Sequence, residues 1–172
     1  MPQCPIDNPA LLLPHSGRMV LLDRVLRYDG QSLDAVSAIR PDCILLPPGA
    51  DSLPAYLGME IMAQGIGAWA GAQALDRGEP VRLGFLLGTR RLHIGVPAIP
   101  VGTEIAVSVH RSLQDAIGMG VFDCTLSCLA PPDACADTLP PGTVLLRGAL
   151  NVLSPTSDAM LEKMLGRPAQ TA

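Results

Sequence analysis

The stretch Pro54-Ala55-Tyr56-Leu57-Gly58-Met59-Glu60-Ile61-Met62-Ala63-Gln64, continued by Gly65-Ile66-Gly67-Ala68-Trp69-Ala70-Gly71-Ala72-Gln73-Ala74-Leu75, decides the fold. Its apolar residues fall on every side at helical spacing, which predicts one long helix enclosed by the rest of the chain rather than lying on a surface. Ala63, Gly67 and Gly71 recur at four-residue steps and give one smooth face. A backbone or a sheet can approach such a face closely, at about 1 kcal/mol of lost helix propensity for each Gly. Asp51 or Ser52 is expected to cap the helix, with Pro54 in its first turn and Asp76-Arg77-Gly78 closing it.

Glu60 is the one ionisable side chain of this stretch apart from the Tyr56 phenol. A carboxylate in an enclosed helix needs a partner, a hydrogen bond or a proton. Two readings stay open: a structural Glu satisfied by Gln64 one turn on, or a general acid or base. A membrane span of about 20 residues is the third reading. Glu60, Gln64, Gln73, the glycines and the absence of a basic flank argue against it, so no membrane span is expected.

Composition narrows the function classes. Hydrophobic residues make up 48% of the 172 and charged ones 16%, which predicts a full core and a tendency to self-associate. The net charge of -4, the lack of a basic run and 3% aromatics leave nothing for nucleic acid to bind. The first eight residues lack the basic-then-apolar order of a signal peptide, so a cytoplasmic location is expected. The five cysteines show no metal-ligand spacing, and no metal site is expected. Cys124 and Cys128 share a strand face with Phe122 and Leu126 and read as buried thiols.

Around the helix the chain reads as strands. Met19 to Tyr28 and Ser32 to Arg40 are expected to pair through the turn signal Asp29-Gly30. Leu11 to Leu13 is expected as a helical turn ended by Pro14 and Gly17, and residues 41–53 as an irregular, proline-rich loop. After the helix come Val81 to His93, Glu104 to Arg111, Gly118 to Leu129 and Thr143 to Leu153. Ile105, Val107 and Val109 face one way, as do Phe122, Cys124, Leu126 and Cys128. Glycines in the first of these strands, Gly84 among them, suggest bulges or close approach to a ligand. The tail is expected to add a helical turn or two within Ser157 to Leu165. The whole is one α+β domain over residues 1–172, with a core of about 11–153 and a tail from 154. Two strands, one long helix and four strands make a hot-dog fold: an antiparallel sheet of about six strands wrapped round one central helix. One helix covers only the concave face, so pairing with a second copy or a second hot-dog chain is expected.

Several motifs resemble one family. Leu13-Pro14-His15 followed by Leu21-Leu22-Asp23-Arg24-Val25 resembles the N-terminal segment of the 3-hydroxyacyl-acyl carrier protein dehydratases, and Glu60-Ile61-Met62-Ala63-Gln64 resembles their helix signature. Pro47-Pro48-Gly49 through Pro54 follows their loop without a gap. Gly84-Phe85-Leu86-Leu87-Gly88-Thr89-Arg90-Arg91 is similar to a divergent branch associated with aryl polyene-type acyl pathways. The resemblance covers about residues 11 to 153.

It implies dehydration of a 3-hydroxyacyl thioester, in fatty acid or polyene-type biosynthesis, by acid-base catalysis. The substrate would be carried on the phosphopantetheine of an acyl carrier protein, with no cofactor of the chain's own. Glu60 would be the catalytic carboxylate. Ala55, Tyr56, Gln64, Gly84 and Phe85 would contact substrate, the Ala55 N-H polarising the thioester carbonyl from the helix start. The family's catalytic histidine falls on Leu46, which carries no proton. His15 is the replacement expected, as a loop imidazole that changes charge near neutral pH. A thioesterase using Glu60, and a non-catalytic subunit of a hot-dog pair, are the alternatives.

Overall fold

The computed structural model describes residues 2–155 and 160–162. The long helix, α1, spans Gly58–Asp76 and is preceded by a 3-10 turn over Ala55–Leu57. Strands β1 (Arg24–Tyr28), β2 (Ser32–Ala38) and β3 (Ser52–Pro54) come before it. Strands β4 (Phe85–Ile94), β5 (Ala98–Pro100), β6 (Glu104–Gln114), β7 (Met119–Ala130) and β8 (Val144–Leu153) follow. Six of them form an antiparallel sheet in the order β1-β2-β6-β7-β8-β4, and β3 pairs with β5 alone. The sheet wraps α1 and the fold is a hot-dog. Of the helical turns expected within Ser157 to Leu165, residues 160–162 are helical and the rest lie outside the described residues.

The alternation on β6 and β7 is the one the sequence predicts. Ile105, Val107, Val109, Phe122, Cys124, Leu126 and Cys128 are all buried against the helix side. A methyl on Gly65 would meet Val107 and Val109 at 3.2 and 3.0 Å, so α1 lies on the sheet at a glycine. The Asp29-Gly30 hairpin is also as expected. The Asp29 carboxylate accepts the N-H groups of Gln31 and Ser32, which holds it below the usual carboxylate range. Its carbonyl accepts from Trp69 Nε1 and Gln73 Nε2, which ties the hairpin to α1.

Four expectations are corrected. Residues 17–19 form a 3-10 turn rather than the start of β1, because the backbone from Met19 to Leu21 bonds to side chains instead of a strand. Neither Asp51 nor Ser52 caps α1: Ser52 opens β3, and the α1 N-cap, Leu57, makes no side-chain cap bond. The loop before the helix therefore holds a short strand, β3, whose Pro54 and β5's Pro100 are tolerated where no further strand pairs. Finally, α1 is not enclosed all round. Glu60, Ala63, Gly67, Ala70 and Gln73 run along it half-exposed, in contrast to Ile61, Met62, Gly65, Ala68 and Ala72.

The smooth face receives backbone, not sheet. A Cβ at Gly71 would sit 2.0 Å from the Leu12 carbonyl oxygen, in the 3-10 turn Pro9–Leu12. Upstream, Ile6 exchanges both backbone hydrogen bonds with Val25, so the N-terminal arm covers part of the β1 edge. At the opposite edge, β4 has no strand beyond it among the described residues, and it carries exposed Leu86, Leu87 and Ile94.

Gly71→Ala is expected to lower stability by roughly 1–3 kcal/mol despite better helix propensity, because the Leu12 backbone must move. Gly30→Ala, which meets nothing within 4 Å, should stay within about 0.5 kcal/mol of wild type. Equal urea midpoints for the two variants would contradict the contact. A second expectation concerns alkali. Desolvation, and then the charge of Asp123, push the Cys124 thiol up to about 12 from 9.0 in the unfolded chain. The folded state thus holds this proton more tightly, and the stability it brings is complete below about pH 9 and lost as the pH rises towards 12. The urea midpoint should fall across that window, and fall less in Cys124→Ala; equal slopes would contradict the assignment.

Candidate active site

The half-exposed face of α1 opens into a pocket of about 140 Å³. Glu60, Ala63, Gln64, Gly67 and Ala70 supply the helix side, and Leu13, Pro14 and His15 one wall. Arg82, Gly84, Phe85 and Leu86 supply the opposite wall, and Val152 and Ser154 come from β8 and the residue just after it. Small residues at 63, 67 and 70 leave the space, since none has a side chain beyond Cβ. A larger cavity of about 380 Å³ continues towards the end of α1, sharing Ile66, Ala70, Arg82, Val152 and Ser154. It is bordered by Trp69, whose ring meets Phe122 edge-on at 5.3 Å and lies 5.1 Å from the Arg111 guanidinium.

Glu60 stands in the first turn of α1, near the positive end of the helix dipole. Its side chain is 37% exposed and that of His15 33%. His15 Nε2 lies 3.9 Å from Glu60 Oε1, longer than a hydrogen bond but close enough for both groups to reach one substrate. The other ring nitrogen, Nδ1, is buried and has no hydrogen-bond partner among the described residues. Glu60 Oε1 accepts from Gln64 Nε2 at 3.2 Å. Gln64 is itself 1% exposed: its Oε1 accepts the Leu21 N-H at 2.8 Å and its Nε2 donates to the Met19 carbonyl at 2.7 Å.

The structure thus brings His15, Glu60, Gln64, Gly84 and Phe85 to one pocket, and leaves two expected contacts elsewhere. Ala55 is fully buried and its N-H donates to the Pro97 carbonyl at 3.1 Å, so it is not available to polarise a thioester. Ala55 opens the 3-10 turn that precedes α1, and sequence periodicity does not distinguish that turn from α-helix. Tyr56 is 52% exposed and outside the pocket wall. Leu46, at the position that the resemblance gives to a histidine, is also not in the wall. Arg82, Val152 and Ser154 were not legible in the sequence. They reach the site only because Leu86 pairs with Val152 across β4 and β8, a long-range register. Among the described residues no group of three His, Cys, Asp or Glu could hold a metal. No described helix is long and apolar enough to cross a membrane. Chemically the pocket offers an imidazole and a carboxyl side by side in a partly apolar recess, a pair able to take one proton and give another.

Among solved structures, the chain is similar to the dehydratase heterocomplex ApeI:P from Xenorhabdus doucetiae, at a TM-score of 0.78 and 29% identity over 96% of this chain and 100% of that one. It shares the fold alone with the sigma28-regulated virulence protein Cj0977 from Campylobacter jejuni, at a TM-score of 0.54 and 9% identity, covering 86% and 85% of the two chains. The same holds for a hypothetical thioesterase from Streptococcus pneumoniae, solved with coenzyme A, at 0.52 and 8% identity, covering 76% and 83%. No curated protein matches. The family model for ApeP-like proteins, described as ApeP dehydratase, matches residues 7–165, and the chain therefore belongs to the ApeP-like dehydratase family.

Proposed function

We propose that the pocket dehydrates 3-hydroxyacyl thioesters carried on the phosphopantetheine of an acyl carrier protein, giving the enoyl thioester in fatty acid or polyene-type biosynthesis. The observation that carries this reading is the placing of His15 and Glu60, from distant parts of the chain, in one pocket at the open face of α1. In the reaction His15 Nε2 takes the C2 proton and Glu60 protonates the C3 hydroxyl. The C2-H and C3-O bonds break, the C2=C3 double bond forms and water leaves. Family membership supports the reaction class.

The chain works as half of a hot-dog dimer, with itself or with a second hot-dog chain. Two observations support pairing: β4 is an open edge with exposed Leu86, Leu87 and Ile94, and the similar ApeI:P structure is a heterocomplex. A cytoplasmic setting is supported by five free cysteines, of a kind kept reduced there. Leu46 favours a second reading, in which the partner carries the chemistry and this chain shapes the pair.

The test is a 3-hydroxyacyl thioester on carrier protein, followed by intact mass with the chain alone and co-purified with a hot-dog partner. Loss of one water, diminished at least about 10²-fold in Glu60→Gln and His15→Ala, is expected. Loss of water that survives both substitutions assigns the chemistry to the partner. Release of the acyl chain as free acid replaces dehydration with thioester hydrolysis.

A further inference from the structure

We propose that the cavity beside Trp69 is an end-group site: it takes the far end of an acyl chain whose last group is a carboxylate, and Arg111 is the residue that binds it. This deepens the dehydratase reading and rests on it, since the chain enters from the pocket of Glu60. On β6 the helix-facing positions run Ile105, Val107, Val109 and then Arg111, so the apolar alternation ends in a cation. Arg111 lines the cavity and is held there without an acid. Among the described residues its guanidinium lies 5.1 Å from the centre of the Trp69 ring, its Nη1 donates to Gln114 Oε1 at 3.0 Å, and no carboxylate pairs with it. Trp69 is fixed in turn, because its Nε1 donates to the Asp29 carbonyl at 3.0 Å and its ring meets Phe122 edge-on. A guanidinium so placed keeps donors for a ligand, and its planar fork fits a carboxylate.

The space exists because a side chain is missing. Gly120 continues the inward face of Phe122 on β7, and a Cβ there would meet the Phe122 ring at 3.0 Å and Val152 at 3.4 Å. A helix rises about 1.5 Å per residue, which puts Trp69 about 13 Å beyond Glu60 along α1. An extended chain covers that distance in about eleven bonds, so a chain of about 14 carbons with C3 at Glu60 brings its last carbon to the ring. Charge decides what the last group is. The charged side chains of the cavity are Arg77, Arg82, Arg111, Glu79 and Asp115, three cations against two carboxylates, which leaves one positive charge. Both carboxylates are already engaged. Glu79 accepts from Arg77 at 3.0 Å and lies near Arg82, and Asp115 accepts the N-H groups of Ile117 and Met119 at 3.0 and 2.9 Å. The remaining positive charge is that of Arg111. A methyl end would give it nothing to bind. A carboxylate end would pair with it in a half-buried setting, where such a pair is screened less than on the open surface.

Trp69 is the one tryptophan of the chain, so its fluorescence reports on this cavity. The full chain is titrated with two saturated acyl pantetheines of the length given above, one ending in methyl and the other in carboxylate; neither carries a 3-hydroxyl, so the readout is binding without turnover. The carboxylate-ended chain should change the Trp69 emission and bind at least about 10-fold tighter than the methyl-ended one at low salt, and this advantage should shrink as salt is raised. Arg111→Met keeps an apolar stem on the Trp69 ring and removes the charge, and should bring the two affinities to within about 2-fold of each other, whereas Arg111→Lys should keep part of the preference. Equal affinities in wild-type protein, an emission indifferent to both chains, or a preference that persists in Arg111→Met would overturn the proposal. The wild-type comparison and its salt dependence need no variant, so misfolding of Arg111→Met leaves the test intact. A carboxylate preference in a protein that removes no water from the 3-hydroxy form of either chain keeps the end-group site and sinks the dehydratase reading. Equal dehydration of both chains with no preference in binding does the reverse.

Discussion

Residues 9–22 contain only 3-10 turns and irregular backbone, and the site exists because this segment is fastened to α1. Two contacts set its place. At one end the backbone of Leu12 lies on Gly71, where any side chain would collide, and at the other the Gln64 amide takes the Met19 carbonyl and the Leu21 N-H. Between them Leu12, Leu13, Leu21 and Leu22 enter the core. Burying four leucines does not by itself offset the cost of ordering so irregular a stretch of backbone, and so the polar grip of Gln64 matters. His15, between the two contacts, inherits its position from both.

The sheet leaves one edge at which a partner could add. Its two edges are treated differently. The N-terminal arm bonds to Val25 and covers part of β1, whereas β4 ends the sheet with apolar residues in solvent and two shifts of register against β8. One covered edge and one open edge favour a closed pair over an open filament. The open edge is also the site's own wall, since Phe85 and Leu86 belong to β4 and line the pocket. A chain paired with β4 would lie close to His15 and Glu60, so under the proposed reading assembly and chemistry share a strand.

The parts of this arrangement that local pattern determines were legible in the sequence. The helix over 54–75, its end at Arg77 and Gly78, the Asp29-Gly30 hairpin and the alternation on β6 and β7 each follow from a few neighbouring residues. What was not legible depends on distant partners. An all-round apolar helix does not say which face stays open; the open face here is decided by where the Leu12 backbone and the β4 wall stop. Met19 to Leu21 has strand composition, but Gln64 and Ser37 take its backbone groups. Ala55 kept an N-H, yet Pro97 consumes it, through a pairing of β3 with β5 that proline content had argued against. Gln64 was visible as a neighbour of Glu60; that it grips a second segment was not, because the contact spans more than 40 residues of chain.

Under the proposed reading, dehydration depends on where the reacting carbons of a substrate sit. Its most direct test is a crystal structure of the chain, with its hot-dog partner if one is required, holding a non-hydrolysable 3-hydroxyacyl pantetheine. The expected result is C2 beside His15 Nε2 and the C3 hydroxyl within hydrogen-bond distance of the Glu60 carboxyl, with the acyl chain passing Phe85 and Val152 into the cavity beside Trp69. A ligand seated in that cavity, or at the pair's other half, with neither carbon near His15 and Glu60, would contradict it.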